Sequence, residues 1–487
     1  MYQNSSSSSN CWQKRRAVVV VLDDIVLCPR MQYHALSLSR QDDMKVDVIC
    51  YGGAEPPVAL MENPSIYIHK MRQAPYQDSR RIPLVLRLLV KAIFQFFVLI
   101  WFIWFKIQIP DVFIVQHPPS LPALLVIKLT SWFRLTSLII DWHDYMHTPF
   151  GLSSNRFPTA LRIYHWFERF LGRMADGALC VTQAIQHDLS QKYGIEAKAF
   201  YDQTYDSFQP ATIKEKHEVS SSLFLVCCFR GAEISRLSSG TVRRITSAAE
   251  NCKEHDATDT LLTAQIDDGN QEKNISMLLE AATIYDKHLD STLNVERAEQ
   301  ISLGADTSTD KKHLYPKILF IIIAEEGEQQ KYENIFGKSL LKHVTFFTLS
   351  LASVDYQILL GSADLGVCLN TSSSGLDLPF TVADMFGCGL PVCAASFPGY
   401  IEELIDDWRD GLVFSTSSDL ANSFLTLFRG FPNNCNALKL MRMGALAKAS
   451  SVRWHAEWEN QVKPFIDKVG FFNLSDFYPL LCLYVPS

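Results

Sequence analysis

Apolar residues along this chain cluster in short, nearly continuous runs, each followed by a stretch with helical spacing. AVVVVL (Ala17–Leu22), KVDVICYGG, DVFIVQ, TSLIIDWHDY and GALCVT are short and almost unbroken by polar residues. They read as strands buried on both faces of a parallel sheet. Helical spacing fills the segments between them, over Met31–Ser39, past Pro122 and over Gln183–Tyr193. The rhythm resumes near residue 260 with a helix at Met277–Tyr285, strands KILFIII (Lys317–Ile323) and VTFFTL, a helix at Val354–Gly361 and DLGVCL. Such alternation predicts open α/β sheets with ligands at the carboxyl ends of the strands. Ser220–Asp259 lacks a clear period and reads as an insertion or linker, and Asp290–Asp310 reads as a solvated loop. The expected organisation is a disordered polar tail (1–16), an N-terminal Rossmann-like domain for acceptor and membrane (17–210) and a linker or insertion (211–259). A C-terminal Rossmann-like nucleotide-sugar domain (260–430) and a helical extension (431–487) that includes RWHAEWENQV complete it.

One stretch departs from this pattern. In the fourteen residues from Ala92 to Phe105 only Gln95 is polar, and Arg87, Lys91 and Lys106 bound the run. A comfortable membrane span needs about 20 apolar residues, so this run is short for one. Tryptophans with flanking cations suit a helix lying in or on a membrane interface. Phe96, Phe97, Trp101 and Trp104 are its candidate lipid contacts; the structural alternative is a core helix of the first domain.

The segment Ser374–Val392, SGLDLPFTVADMFGCGLPV, carries the clearest local chemistry. Pro379 suits the first turn of a helix, which Gly387 and Gly389 end before a strand restarts at Pro391–Val392. A helix N-terminus offers unpaired N–H groups and partial positive charge, which suit phosphate. The hydroxyls of Ser372, Ser373 and Ser374 and the backbone of Gly375, Leu376, Asp377 and Leu378 form a candidate diphosphate seat. Asp384, one turn further in on the face of Phe380 and Thr381, is the candidate acceptor for ribose hydroxyls. An ordinary αβ turn is the competing reading.

With that seat, two Rossmann-like domains facing a cleft point to a glycosyltransferase-B architecture, with a membrane-associating apolar helix in the first domain. A D-x-D motif, with which the other common glycosyltransferase fold holds a sugar nucleotide through a metal, is absent, so no metal or other cofactor is expected. An inverting transfer needs a base for the acceptor hydroxyl. His143, at the end of a first-domain strand, is the candidate, with Asp141 and Asp144 as orienters or alternative bases.

Composition narrows the partners. A length of 487 residues holds two domains of ordinary size. A net charge of −7 gives no ground for nucleic-acid binding. The twelve cysteines show no C-x-x-C spacing and fit reduced thiols in a cytosol-facing protein. The tail MYQNSSSSSNCWQKRR lacks the apolar run of a signal peptide.

Longer motifs carry a resemblance. CPRMQYHALSLS, QHPPSLPAL, IIDWHDY, HWFERFLGRMADGALCVTQAIQHDL, YDQ at 201–203, LLGSADLGVCLNTSSSGLDLP and DMFGCGLPVCA occur in order. Through them much of Ala17–Asp202 and Asp355–Phe414 resembles the chitobiosyldiphosphodolichol β-mannosyltransferase family, its plant members most of all. The resemblance implies a cytosol-facing enzyme of the endoplasmic reticulum membrane. It implies transfer of mannose from GDP-mannose to GlcNAc₂-diphosphodolichol in a β1,4 bond, the first mannosylation of the N-glycan precursor. Expected partners are the dolichol-linked acceptor, membrane lipid and other glycosyltransferases of that membrane, with Arg30 on the acceptor side. Asp384 matches in position the glutamate that related glycosyltransferases use. The chain departs from the family pattern at Asp23–Met31, where both glycines, the arginine and the serine of Gly-Asp-Ile-Gly-Arg-Ser-Pro-Arg-Met are replaced. It also has QIDDGN at 265–270, Glu325 where a lysine is expected, and Thr381 where a lysine is usual. Two alternatives follow: an inactive family member acting as a membrane-bound partner in glycosylation, or a transferase using a UDP-sugar.

Overall fold

Ala17 to Val21 are entirely out of solvent, as a strand covered on both faces must be. The computed structural model describes residues 15–41, 44–53, 55–72, 84–117, 121–143, 158–216, 218–219, 260–265, 271–303, 314–323, 329–349, 353–369, 379–396, 401–451 and 453–470. Two compact units divide the chain, Met1–Tyr201 with Glu457–Ser487, and Asp202–Ala456. The expected boundary near 210 therefore falls at 201, and the C-terminal extension is shared, its first part going with the second unit and its last with the first. Arg15 and Arg16, expected in the polar tail, begin the first strand, and Asp47 explains it by accepting from the Arg16 guanidinium at 2.5 Å. Residues 1–14 and most of the expected linker, 220–259, lie outside the described residues.

In the first unit the strands β1 (Arg15–Asp24), β2 (Met44–Tyr51), β3 (Ile66–Met71), β4 (Val112–His117), β5 (Ser137–Trp142), β6 (Gly177–Cys180) and β7 (Lys198–Ala199) form one sheet. Its order is β3-β2-β1-β4-β5-β6-β7, and every pairing is parallel. Helices α1 (Pro29–Ser39) and α2 (Val58–Met61) accompany the chain from β1 outward to β3. The chain then reverses. α3 (Leu84–Trp101, closed by a wider turn at Phe102–Lys106), α4 (Leu121–Arg134) and α5 (Pro158–Gly172) lead it the other way, and α6 (Gln183–Asp188) precedes β7. Right-handed crossovers running in opposite directions put α1 and α2 on one face and α3, α4 and α5 together on the other.

The second unit repeats the plan. Strands β8 (Thr260–Gln265), β9 (Ile318–Ile323), β10 (Val344–Leu349), β11 (Leu365–Cys368), β12 (Val392–Ala395) and β13 (Gly411–Phe414) are parallel in the order β10-β9-β8-β11-β12-β13. Its helices are α7 (Gln271–Leu303), α8 (Gln329–Phe336), α9 (Ser353–Ser362), α10 (Phe380–Gly387), α11 (Ile401–Leu404), α12 (Ser417–Leu427) and α13 (Asn436–Ser451). Two more described helices follow, α14 (Trp454–Glu457) and α15 (Lys463–Gly470), the latter within the first unit. Phe320, Phe346 and Phe424 centre the core on one face of this sheet. The expected solvated loop from Asp290 is helical through Leu303 within α7, and Asp290 accepts from Lys342 at 2.7 Å. In both sheets the order reverses beside the first strand. Ligands of doubly wound sheets bind in the crevice at the carboxyl ends there.

Candidate active site

DWHDY ends β5 at that rim of the first sheet. Asp141 is the penultimate residue of the strand, fully buried, and Arg30 on α1 reaches it across the sheet edge. The guanidinium donates from Nε to Asp141 Oδ2 at 2.7 Å and from an Nη to Oδ1 at 3.0 Å. Its other Nη donates to the Phe200 carbonyl at 2.9 Å. His34, one turn further along α1, lies 3.2 Å from Asp141 Oδ2 through Nε2. The Trp458 indole, a donor only, gives its N–H to His34 Nδ1 at 3.0 Å. His34 must therefore carry its proton on Nε2 and donate it to Asp141. Burial, which lowers the His34 pKa, agrees with that neutral form.

His143 completes the cluster from the loop just past β5, its Nε2 3.1 Å from Asp141 Oδ2. Burial opposes ionisation of Asp141. The charge of Arg30 and the hydrogen bonds from His143 and His34 outweigh it, and they hold the carboxyl well below the usual range. An ionised carboxylate only accepts, so His143 donates from Nε2 to Asp141, and in the neutral ring Nδ1 is the nitrogen left to accept. His143 is partly exposed, its side chain 21% accessible, while Asp141 has no accessible surface. Of the two roles the sequence left open for Asp141, this burial favours that of orienter. Arg30, expected on the acceptor side, is 2% exposed and fully engaged with Asp141. In this position Arg30 supports the cluster from beneath. Asp144 lies outside the described residues.

Other motif residues meet below this cluster. His117 of QHPP and Glu168 of HWFERF form a buried pair at 3.1 Å, and Tyr193 donates to Glu168 at 3.1 Å. Trp142 stacks on His117 with centroids 3.7 Å apart.

In the second unit, β11 ends at Cys368 and α10 begins at Phe380. The intervening Ser372, Ser373, Ser374, Gly375, Leu376, Asp377 and Leu378 lie outside the described residues, as does Glu325. Pro379 is the N-cap residue of α10, not its first helical position, because its backbone is still extended. The helix ends as expected of a glycine stop: Gly389 has φ +67°, and Leu390 N–H returns to the Met385 carbonyl at 2.9 Å. Asp384, in the second turn, is 6% exposed, and its Oδ1 has no hydrogen-bond partner. Burial, followed by the nearby Asp202 charge, pushes its pKa well above the usual carboxylate range. Asp202 belongs to the YDQ motif, whose chemistry the sequence alone did not reveal. Gly387 lets that strand of chain cross α10: a Cβ there would come within 1.8 Å of Thr204 Cγ2. Thr204 donates to the Ala383 carbonyl at 2.5 Å and fixes the crossing. Thr381, the residue in place of the family lysine, is buried, its Oγ1 3.8 Å from Cys368 Sγ.

The apolar helix of the sequence reading is α3. Gln95, Leu99 and Ile103 turn inward, Phe96 is half-buried, and Phe97, Trp101 and Trp104 are exposed. No helix among the described residues is long and apolar enough to cross a membrane. The described residues hold no cluster of metal-binding side chains.

Comparison with known proteins follows the same two sheets. Anabaena HepE in complex with UDP-glucose matches over 93% of this chain and 99% of its own, with a TM-score of 0.54 at 14% identity. A sucrose-phosphate synthase from Thermosynechococcus elongatus matches over 93% and 98%, with a TM-score of 0.59 at 10% identity. This likeness is one of fold: the chain has the glycosyltransferase-B fold. No protein-family profile matches it. It is 42% identical to UDP-glycosyltransferase TURAN of Arabidopsis thaliana, covering 92% of this chain and 96% of that protein. It is 33% identical to the chitobiosyldiphosphodolichol beta-mannosyltransferase of Mus musculus, covering 92% and 88%, and 31% identical to that of Homo sapiens, covering 92% and 91%. The chain belongs to the chitobiosyldiphosphodolichol beta-mannosyltransferase family.

Proposed function

We propose that this chain transfers mannose from GDP-mannose to the terminal GlcNAc of GlcNAc₂-diphosphodolichol, with inversion to a β1,4 bond. We place it at the endoplasmic reticulum membrane, both units facing the cytosol, beside other glycosyltransferases of that membrane. The observation that carries the reading is the set of His143, Asp141, Arg30 and His34 at the carboxyl rim of the first sheet. His143 Nδ1 takes the proton of the acceptor hydroxyl as its oxygen attacks the sugar's anomeric carbon and the bond to the diphosphate breaks. Asp141 fixes the ring's tautomer and stands opposite the charge the ring acquires. In the second unit, the unpartnered Oδ1 of Asp384 supports a role as acceptor for a ribose hydroxyl, and the start of α10 supports one for the diphosphate.

Two observations favour other outcomes. One relative at 42% identity is named a UDP-glycosyltransferase, which favours a UDP-sugar donor. The buried Thr381 in place of a lysine favours an impaired transferase that serves as a partner protein. One assay separates the three: membranes carrying this chain are given labelled GDP-mannose or UDP-sugars with GlcNAc₂-diphosphate-phytanyl, with Asp384→Ala as control. Mannosylated product that vanishes in the control is expected. Product from a UDP-sugar alone would replace the donor, and no product from a folded chain would leave the partner role. Protease added outside sealed microsomes should cut both units; full protection would refute the cytosolic orientation.

A further inference from the structure

Three neighbouring helices of the first unit carry an aromatic surface on the side away from the sheet. α3, α4 and α5 lie side by side because the chain reverses between β3 and β4. The seam between α3 and α4 is fixed: Trp104 donates to Thr130 Oγ1 at 3.1 Å, and Arg134 donates to the carbonyls of Ile103 and Trp104 at 3.0 and 3.2 Å. Outside the seam Phe97, Trp101, Phe105, Trp132, Trp166 and Phe170 are exposed, from 49% for Phe170 to 70% for Trp132. They are positioned in pairs, Trp101 on Phe105 at 4.8 Å and Trp166 stacked on Phe170 at 5.4 Å. A groove of ≈ 630 Å³, lined by Phe94, Phe97 and Trp101 together with Lys70 and Arg72, extends the surface past α3. Water-soluble monomers rarely leave contiguous apolar patches beyond a few hundred Å².

Charge identifies the occupant. The three helices and the turn after α3 contain seven basic residues, two on α3, one on the turn, two on α4 and two on α5. They contain one acid, Glu168, which is buried against His117 and Tyr193. Lys106, Arg162 and Arg169 are exposed. The whole chain has a net charge of −7, so this positive sign is local to the face. Tryptophans with a cationic fringe fit the headgroup layer of a membrane, and anionic phospholipid attracts such a fringe.

We propose that the α3–α4–α5 face docks flat on a bilayer leaflet containing anionic phospholipid. The aromatic pairs enter the headgroup layer, and Arg162 and Arg169 meet lipid phosphates. The inference extends the contact well beyond α3 and requires no donor, acceptor or catalysis. The test is flotation of the purified full chain with vesicles of phosphatidylcholine, alone or mixed with phosphatidylserine. All variants are placed off α3. Trp132→Ser with Trp166→Ser and Phe170→Ser should reduce binding to both vesicles at least tenfold, with an unchanged circular dichroism melt because all three side chains are exposed. Arg162→Gln with Arg169→Gln should lose about thirtyfold on the anionic vesicles and little on the neutral ones. Wild-type chain that stays unbound overturns the proposal, as do variants that float like wild type. A dimer with its tryptophans shielded from quencher and no vesicle binding would overturn it in favour of a second copy of the chain.

Discussion

Replacing His143 by alanine separates the base from the scaffold around it. The ring donates one hydrogen bond to Asp141, which retains two from Arg30 and one from His34. A hydrogen bond to a charged group is worth about 1.5–3 kcal/mol. Because the ring is partly exposed and three donors remain, the expected loss of stability is about 1 kcal/mol. For units of this size that lowers the melting temperature by about 2–4 °C. The effect on catalysis is larger. A positioned base contributes about 10²–10⁴-fold, or roughly 3–5 kcal/mol of barrier. Transfer of labelled mannose to GlcNAc₂-diphosphate-phytanyl by His143→Ala should fall by that factor while the melt barely moves, and added imidazole should restore part of the rate. An unchanged kcat in the folded variant would refute the assignment of the base. A collapse of the melt would refute the claim that the ring sits on the cluster without holding it together.

Arg30→Met leaves Asp141 buried and uncompensated, and should cost about 3–5 kcal/mol in urea unfolding; a loss below 1 kcal/mol would show that the pair is not the cluster's anchor. Because the folded Asp141 carboxyl is held below its unfolded value, near 3.9, its stabilisation is present above about pH 4 and is lost as pH falls further. Acid melts of Asp141→Asn should lack that contribution. Asp384 has the opposite sign: its folded pKa is raised, so its stability contribution is full below about pH 4 and is lost as pH rises through the folded value. Asp384→Asn should therefore melt higher than wild type at pH 7–8 but not at pH 4, while binding donor more weakly; equal gains at both pH values would contradict the burial argument. Gly387→Ala drives a methyl into Thr204 and should destabilise the second unit by about 1–3 kcal/mol in a thermal melt, whereas a neutral outcome would mean that the crossing chain moves freely.

The periodic part of this molecule was legible in the sequence, and the paired part was not. Runs such as Ala17–Leu22 and Lys317–Ile323 betray themselves locally, because a strand buried on both faces must be apolar throughout. The stop of α10 at Gly387 and Gly389 was equally local. Arg30 looked like a free cation because its partner lies 111 positions away, and the Trp458 indole meets His34 across 424. Separation in sequence likewise hid Asp202 from Asp384. The second half of helix α7 mixes scattered apolar residues with a run of charged and polar ones, a weak hydrophobic period that does not mark a helix by itself. Along α3 and the turn after it the sequence is apolar throughout, but only the fold shows that Gln95, Leu99 and Ile103 are buried while Phe97 and Trp101 are exposed.

The missing lysine of the donor seat also looks different once Asp384 is placed. Counting charges in the sequence gives an acidic pocket that has exchanged a cation for Thr381. Burial changes that count: it raises the Asp384 pKa and so favours the protonated carboxyl, which makes the start of α10 less negative than its sequence. A protonated carboxyl still accepts a ribose hydroxyl through its carbonyl oxygen. On the proposed reading, a diphosphate at the N–H groups and partial positive charge of that helix N-terminus then faces a weaker opposing charge one turn away. Loss of a lysine contact costs about 1.5–3 kcal/mol, a tenfold to hundredfold weakening that a nucleotide-sugar site can survive. On the proposed reading, the lysine exchange alone therefore predicts a slower transferase rather than a dead one, and a dead one would need a second defect in the loop before α10.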